Sequence, residues 1–175
     1  MVGESAGGGL CLATLLAIRD QGLSLPSAAV AMSPWTDLMV TGESYRTKAN
    51  VCLSPFNMAV VCSKHYSGDH DRTDPYISPL YGDLHGLPPL FISVGDDETM
   101  RDDSVRFADK TKAAGVDTTL KVGEGMVHCY PLMAPAFPEA TQALDEICAF
   151  IKHHAQWVSE PASSLQSAGE KVLAL

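Results

Sequence analysis

The sequence has 175 residues, 46% of them hydrophobic and 19% charged, with a net charge of −9. That length suits one domain with a sizeable core, and the negative charge argues against nucleic acid or an anionic membrane as partner. No apolar run approaches the ~20 residues needed to span a bilayer.

No basic region precedes the first apolar stretch, so a signal peptide is not evident. Five cysteines, Cys11, Cys52, Cys62, Cys129 and Cys148, include no C-x-x-C pair. An odd set of this kind argues against a disulfide framework or a zinc site and for a reducing compartment. The expectation is a soluble, cytoplasmic protein, and the sequence leaves a homodimer open.

Met1 and Val2 read as the tail of a strand, followed at once by Gly3-Glu4-Ser5-Ala6-Gly7. A G-x-S-x-G run at the start of a helix marks a tight strand-to-helix turn that projects the serine hydroxyl away from the backbone. Small residues on either side, Gly3 and Gly7, allow the close approach such a turn requires. The helix that follows aims free N–H groups and partial positive charge at any oxyanion formed on Ser5.

Residues 6–20 are apolar nearly all round, with Leu10, Leu12, Leu15, Leu16 and Ile18 expected inside, which predicts a buried helix ended near Gly22. Residues 27–33 predict a short buried strand stopped by Pro34. Residues 35–50 are polar and loop-like. Ser54 and Pro55 supply an N-cap and first-turn pair for a helix to about residue 66. Residues 69–89, rich in Pro, Gly and Asp, predict an irregular connection.

The segment 90–94, LFISV, is the clearest strand. Residues 102–114 predict a helix closed by Gly115, with Asp102 and Asp103 placed favourably for the helix dipole. A strand is expected over 117–122, a loop over 123–138, and a last helix over 139–157 whose Leu144, Ile147, Cys148 and Ile151 face the core. Residues 159–175 are expected to form a poorly ordered tail beyond a domain of residues 1–158. No internal repeat is present.

Strands alternating with helices imply βαβ units and a parallel sheet, hence an α/β fold. In such sheets chemistry sits on loops at the carboxyl ends of strands. A serine nucleophile then calls for an acid after one later strand and a histidine after another, in the order Ser…Asp/Glu…His. Gly95-Asp96-Asp97-Glu98 follows the strand at 90–94, and Gly123-Glu124-Gly125-Met126-Val127-His128 follows the strand at 117–122. His128 can act as general base toward Ser5, with an acid fixing its tautomer. Asp97 is the preferred partner, Asp96 the second and Glu98 the third.

The segments GESAGGGL, SPWTDL, DPYISPLYGDLHGLPPLFISVGDDE, DDS and EGMVHCY resemble the C-terminal part of an α/β hydrolase. The resemblance is to the hormone-sensitive-lipase-like esterases, the bacterial family IV carboxylesterases, and covers roughly residues 2–153. It implies Ser5 as nucleophile, Asp97 as acid, His128 as base and the Ala6 N–H as one oxyanion donor. It also implies a small-molecule ester as substrate, with short acyl groups favoured, and no metal or organic cofactor. That family draws its other oxyanion donors from an H-G-G-G segment upstream of the serine, and this sequence contains none. The expectation is an N-terminally truncated hydrolase fold, a fragment or a gene model begun at an internal methionine, with weak activity alone. Loss of one oxyanion donor costs about 3 kcal/mol of transition-state stabilisation. The rival reading is a non-catalytic remnant serving as a binding module.

Other groupings carry less. A calcium loop starting at Asp96 would need Gly and Glu where Arg101 and Phe107 stand. His65, Asp69, His70 and Asp71 read as a polar helix end rather than metal ligands. Cys129 is expected to point away from His128, as neighbours on extended chain do. Trp35, Phe56 and Tyr130 are candidates for lining an acyl or alcohol pocket or for plain packing.

Overall fold

Apolar runs in Ala29–Met32 and Leu90–Gly95, broken only by Ser93, make strands that are buried along their whole length, as expected for the middle of a parallel sheet covered on both faces. In the computed structural model, which describes residues 1–54 and 56–155, these are β2 and β3 of a four-stranded sheet. The outer strands are β1, Val2–Glu4, and β4, Thr118–Gly123. The order is β1-β2-β3-β4. All three pairings are parallel: Gly3 lies opposite Ala31, Ala31 opposite Ile92 and Ile92 opposite Leu120.

Side chains alternate across β2 and β3 and so divide the core. Ala29, Ala31, Leu90 and Ile92 pack with Leu12, Leu15 and Leu16 of helix α1, Ser5–Asp20, and with Phe107 of helix α4, Arg101–Ala113. Val30, Met32 and Phe91 point to the other face, where Ile147 and Phe150 of helix α5, Pro138–His154, cover them. A third cluster, Trp35, Leu38, Tyr45, Ala59 and Met100, sits beyond the carboxyl ends of the strands. Helix α2, Ser44–Thr47, and helix α3, Phe56–Ser67, contribute to it. Helices on both faces of a parallel sheet make this the expected α/β architecture.

Local differences have local causes. Leu10 is 56% exposed, against the all-round burial expected of α1, because only the Leu12–Leu16 side of that helix meets the sheet. On α5, Cys148 is exposed and Ile151 partly so, since the helix meets β2 and β3 through Ile147 and Phe150. The polar stretch at 35–50 holds the short helix α2, and the 123–138 loop contains a 3-10 turn at Tyr130–Met133. The last helix ends at His154 rather than near 157, since Ala155 is already extended; Pro55, the Phe56 side chain and the tail expected at 159–175 lie outside the described residues. Among the described residues no helix is long and apolar enough to cross a membrane.

Candidate active site

Tight backbone approaches build this site. A Cβ on Gly3 would stand 2.2 Å from the Gly7 carbonyl oxygen, so glycine is obligatory before the turn. Gly7 itself has open space where a Cβ would go, so the second glycine of the pentapeptide is not demanded by a neighbour in the described structure. Ser5 takes the left-handed conformation, φ +51°, the strained geometry that lifts its hydroxyl clear of the sheet. Gly9 presses α1 onto the chain leaving β2, since a Cβ there would lie 2.0 Å from the Trp35 carbonyl oxygen. The Trp35 N–H donates to the Ser5 carbonyl at 3.0 Å.

The loops after β3 and β4 meet just as closely. A Cβ on Gly95 would fall 2.2 Å from the Met126 carbonyl oxygen. Asp96 N–H donates to the Gly123 carbonyl at 2.8 Å and Asp97 N–H to the Met126 carbonyl at 2.9 Å. These bonds bring His128 over Ser5, with Nε2 2.9 Å from the serine Oγ. His128 Nδ1 bonds Oε2 of Glu98, which is fully buried.

Asp97, the preferred acid by sequence, is elsewhere. Its carboxylate meets Lys48 Nζ at 3.0 Å, and Asp96 meets Lys48 at 3.3 Å and Arg101 Nε at 2.9 Å. Lys48 is held more firmly protonated by the Asp97 hydrogen bond. Partial burial works against ionisation of Asp96, but the Lys48 and Arg101 hydrogen bonds outweigh it and its pKa is lowered. Both aspartates therefore face cations on the surface, and Glu98 alone of the three turns inward to the imidazole. Glu98 Oε1 accepts the Gly95 N–H at 2.6 Å and the Ser33 hydroxyl at 2.7 Å. A carboxylate accepting these donors leaves Nδ1 as the protonated imidazole nitrogen, so Nε2 is free to accept the Ser5 proton.

Cys129 corrects another expectation. Its backbone is left-handed, φ +55°, rather than extended, so its sulfur turns to the same side as His128. Sγ lies 3.2 Å from Glu4 Oε2. Ligand atoms of Glu4, His128 and Cys129 lie within 4.8 Å of one another. Burial and the neighbouring Glu4 push the thiol up to about 12, and His128 is already bonded through both nitrogens. A metal there would have to displace a thiol proton and the serine hydrogen bond. The same shift makes Cys129 a poor nucleophile. No other such grouping occurs among the described residues, His65, Asp69, His70 and Asp71 included.

The chain after β2 is fixed by a buried acidic pair. Asp103 Oδ2 accepts the N–H groups of Thr36 and Asp37 at 3.0 and 2.9 Å, while Oδ1 has no partner among the described residues. Burial, reinforced by the charge of Asp37, raises the Asp103 pKa well above its usual value. Asp37 is itself buried, but bonds from Thr41, Tyr81 and Arg106 hold its pKa down. This scaffold positions Trp35, which with Ala6, Leu10, Leu38, Tyr66 and Ile77 lines an apolar cavity of about 170 Å³. Tyr130 is buried and lines a different depression, beside β4 and α5. A larger open hollow at residues 135–149 is lined by none of Ser5, Glu98 or His128.

The family model for the alpha/beta hydrolase fold matches residues 1–132. The chain belongs to this family. It is 36% identical over 154 residues to an acetyl-hydrolase of Streptomyces hygroscopicus, covering 87% of this chain and 51% of that protein. It is 39% identical over 150 residues to an esterase of Acinetobacter venetianus, covering 85% and 50%. Among solved structures, an esterase of the bacterial hormone-sensitive lipase family superposes with a TM-score of 0.85 at 42% identity. The esterase EstE5, soaked with p-nitrophenyl butyrate, gives 0.83 at 40%. Each of these two structures matches over 87% of this chain and 52% of its own. The resemblance to hormone-sensitive-lipase-like hydrolases therefore holds, and the chain spans about half the length of the relatives it matches.

Proposed function

We propose that this chain carries the reacting groups of a serine carboxylesterase for short-chain acyl esters, with Ser5 as nucleophile, His128 as general base and Glu98 as the acid that orients it. The observation that carries the reading is the contact of Ser5 Oγ with His128 Nε2 while Nδ1 bonds buried Glu98. Glu98 takes the place given to Asp97 by sequence. His128 Nε2 takes the Ser5 proton as Oγ attacks the ester carbonyl carbon. The oxyanion faces the Ala6 N–H, which lies in the first turn of α1 and has no intrahelical acceptor. His128 returns the proton to the leaving alcohol, and water resolves the acyl-enzyme by the same route in reverse.

Short acyl groups are favoured by the small cavity that begins at Ala6 and by the acetyl-hydrolase and butyrate-soaked esterase among the relatives. No metal or organic cofactor enters this chemistry. Treatment of the folded chain with a fluorophosphonate probe tests the reading. Covalent labelling that disappears in Ser5→Ala supports it, and an unlabelled, folded chain points instead to a non-catalytic binding module. Hydrolysis of p-nitrophenyl acetate and butyrate is expected to exceed that of the octanoate; faster cleavage of a peptide amide would overturn the esterase assignment.

A further inference from the structure

Ser33 closes β2 and is fully buried, yet nothing in its residue type marks it for chemistry. Its hydroxyl donates to Glu98 Oε1 at 2.7 Å and accepts the Cys129 N–H at 3.0 Å. One oxygen thus joins the end of β2 to the acid and to the backbone amide immediately after the base. Its own N–H is tied to the Ser93 carbonyl at 2.6 Å. Its backbone is left-handed, φ +47°, a conformation that a non-glycine residue adopts only where its surroundings impose it.

We propose that Ser33 is a positioning residue of the esterase site, holding the Glu98 carboxylate and the His128 loop in register so that Oε2 faces the imidazole. The inference rests on the esterase reading above. Two donors, the Ser33 hydroxyl and the Gly95 N–H, occupy Oε1 and leave Oε2 as the oxygen that meets Nδ1. Without the hydroxyl the carboxyl group keeps one of those two anchors, and the Cys129 amide loses its acceptor. The base then depends on a carboxylate that can rotate and on a loop no longer pinned at residue 129. Small misplacements of this kind cost catalysis out of proportion to their size.

Ser33→Ala and Ser33→Gly, made in the full chain, test the role. Glycine adopts the positive φ at no steric cost, so comparison with alanine separates loss of the hydroxyl from backbone strain. The readouts are the pH profile of fluorophosphonate labelling and the titration of His128 followed by imidazole NMR. The ionisable groups gathered around His128 are Ser5, Glu98, Glu4 and Cys129. A carboxylate stripped of one donor attracts the imidazolium proton more strongly. Both variants are therefore expected to fold, to label at least ~10-fold more slowly, and to show a His128 midpoint displaced upward. A folded variant with wild-type rate and midpoint overturns the proposal, and so does failure of both variants to fold, which would make the hydroxyl a folding element only. If the wild-type chain does not label, the esterase reading fails. The NMR titration then decides only whether Ser33 sets the Glu98–His128 pair: an unchanged midpoint rejects that as well, and a displaced one keeps it while the esterase role falls.

Discussion

Asp97 and Glu98 are neighbours in the chain, yet their carboxylates answer to different charges. Asp97 pairs with Lys48 on the surface, and Glu98 lies buried against His128. On the proposed chemistry, Glu98→Gln should slow fluorophosphonate labelling of Ser5 by roughly 10³-fold or more, because an amide favours the wrong imidazole tautomer. Asp97→Asn should change the rate by less than about threefold, the surface pair being worth little. Equal effects of the two substitutions would refute the assignment. Ser5 and His128 were legible in the sequence because glycines and strand ends bracket them. The carboxylate that meets His128 was not, since the choice among three consecutive carboxylates depends on amide bonds to Gly123 and Met126 that turn the first two outward. Ser33 begins the SPWTDL segment that carried part of the resemblance, but nothing in the sequence pointed to its positive φ or to its two partners far away in the chain.

At the level of elements, the glycines of α1 make a paired prediction. Gly9 abuts the Trp35 carbonyl, whereas Gly7 has room for a methyl group. Gly9→Ala should therefore destabilise the fold by about 2 kcal/mol or more, because backbone rather than a flexible side chain must yield. Gly7→Ala should stabilise it by roughly 0.5–1 kcal/mol through helix propensity. Urea denaturation reads both, and a loss of stability in Gly7→Ala would contradict the described packing. Strands and long helices were readable from apolar runs, turn residues and periodicity. Helix α2 was not, because its four residues are held by tertiary bonds: the Ser44 N–H donates to Asp102 and the Ser44 hydroxyl to the Thr99 carbonyl. On α5 Ile147 faces the core as expected, but Cys148 and Ile151 do not, because periodicity alone could not tell Phe150 from Ile151 as the contact beside it.

For the molecule as a whole, Asp103 links global stability to pH. Its pKa is raised in the folded state above an unfolded value near 3.9. Below about pH 4 it is protonated in both states and contributes no pH dependence. As pH rises further the unfolded chain releases that proton first, so stability falls until the folded pKa is passed. The carboxylates with lowered values, Asp37 and Asp96 among them, act the other way, but their contribution is complete above about pH 5. Above about pH 5 the thermal midpoint is therefore expected to decline until the folded pKa of Asp103 is passed, and Asp103→Asn should flatten that decline. A slope unchanged in the variant would show that Asp103 does not drive it. The outer strands carry a separate liability. Val2 on β1 is 54% exposed, and β1 pairs only with β2 among the described strands. A charged residue on such an edge discourages strand addition, so Val2→Lys should reduce concentration-dependent association seen by light scattering.

The hydroxyl of Ser5 and the imidazole of His128 are 123 positions apart, and that separation sets a timetable on the ribosome. At about 5–20 residues per second, the serine is made roughly 6–25 s before the histidine it meets in the fold. Strands added in the order β1-β2-β3-β4 leave that histidine's loop among the last parts of the sheet to emerge. On the proposed chemistry the nascent chain carries an inert alcohol until the His128 loop has been made, and reactivity waits for the fold to close.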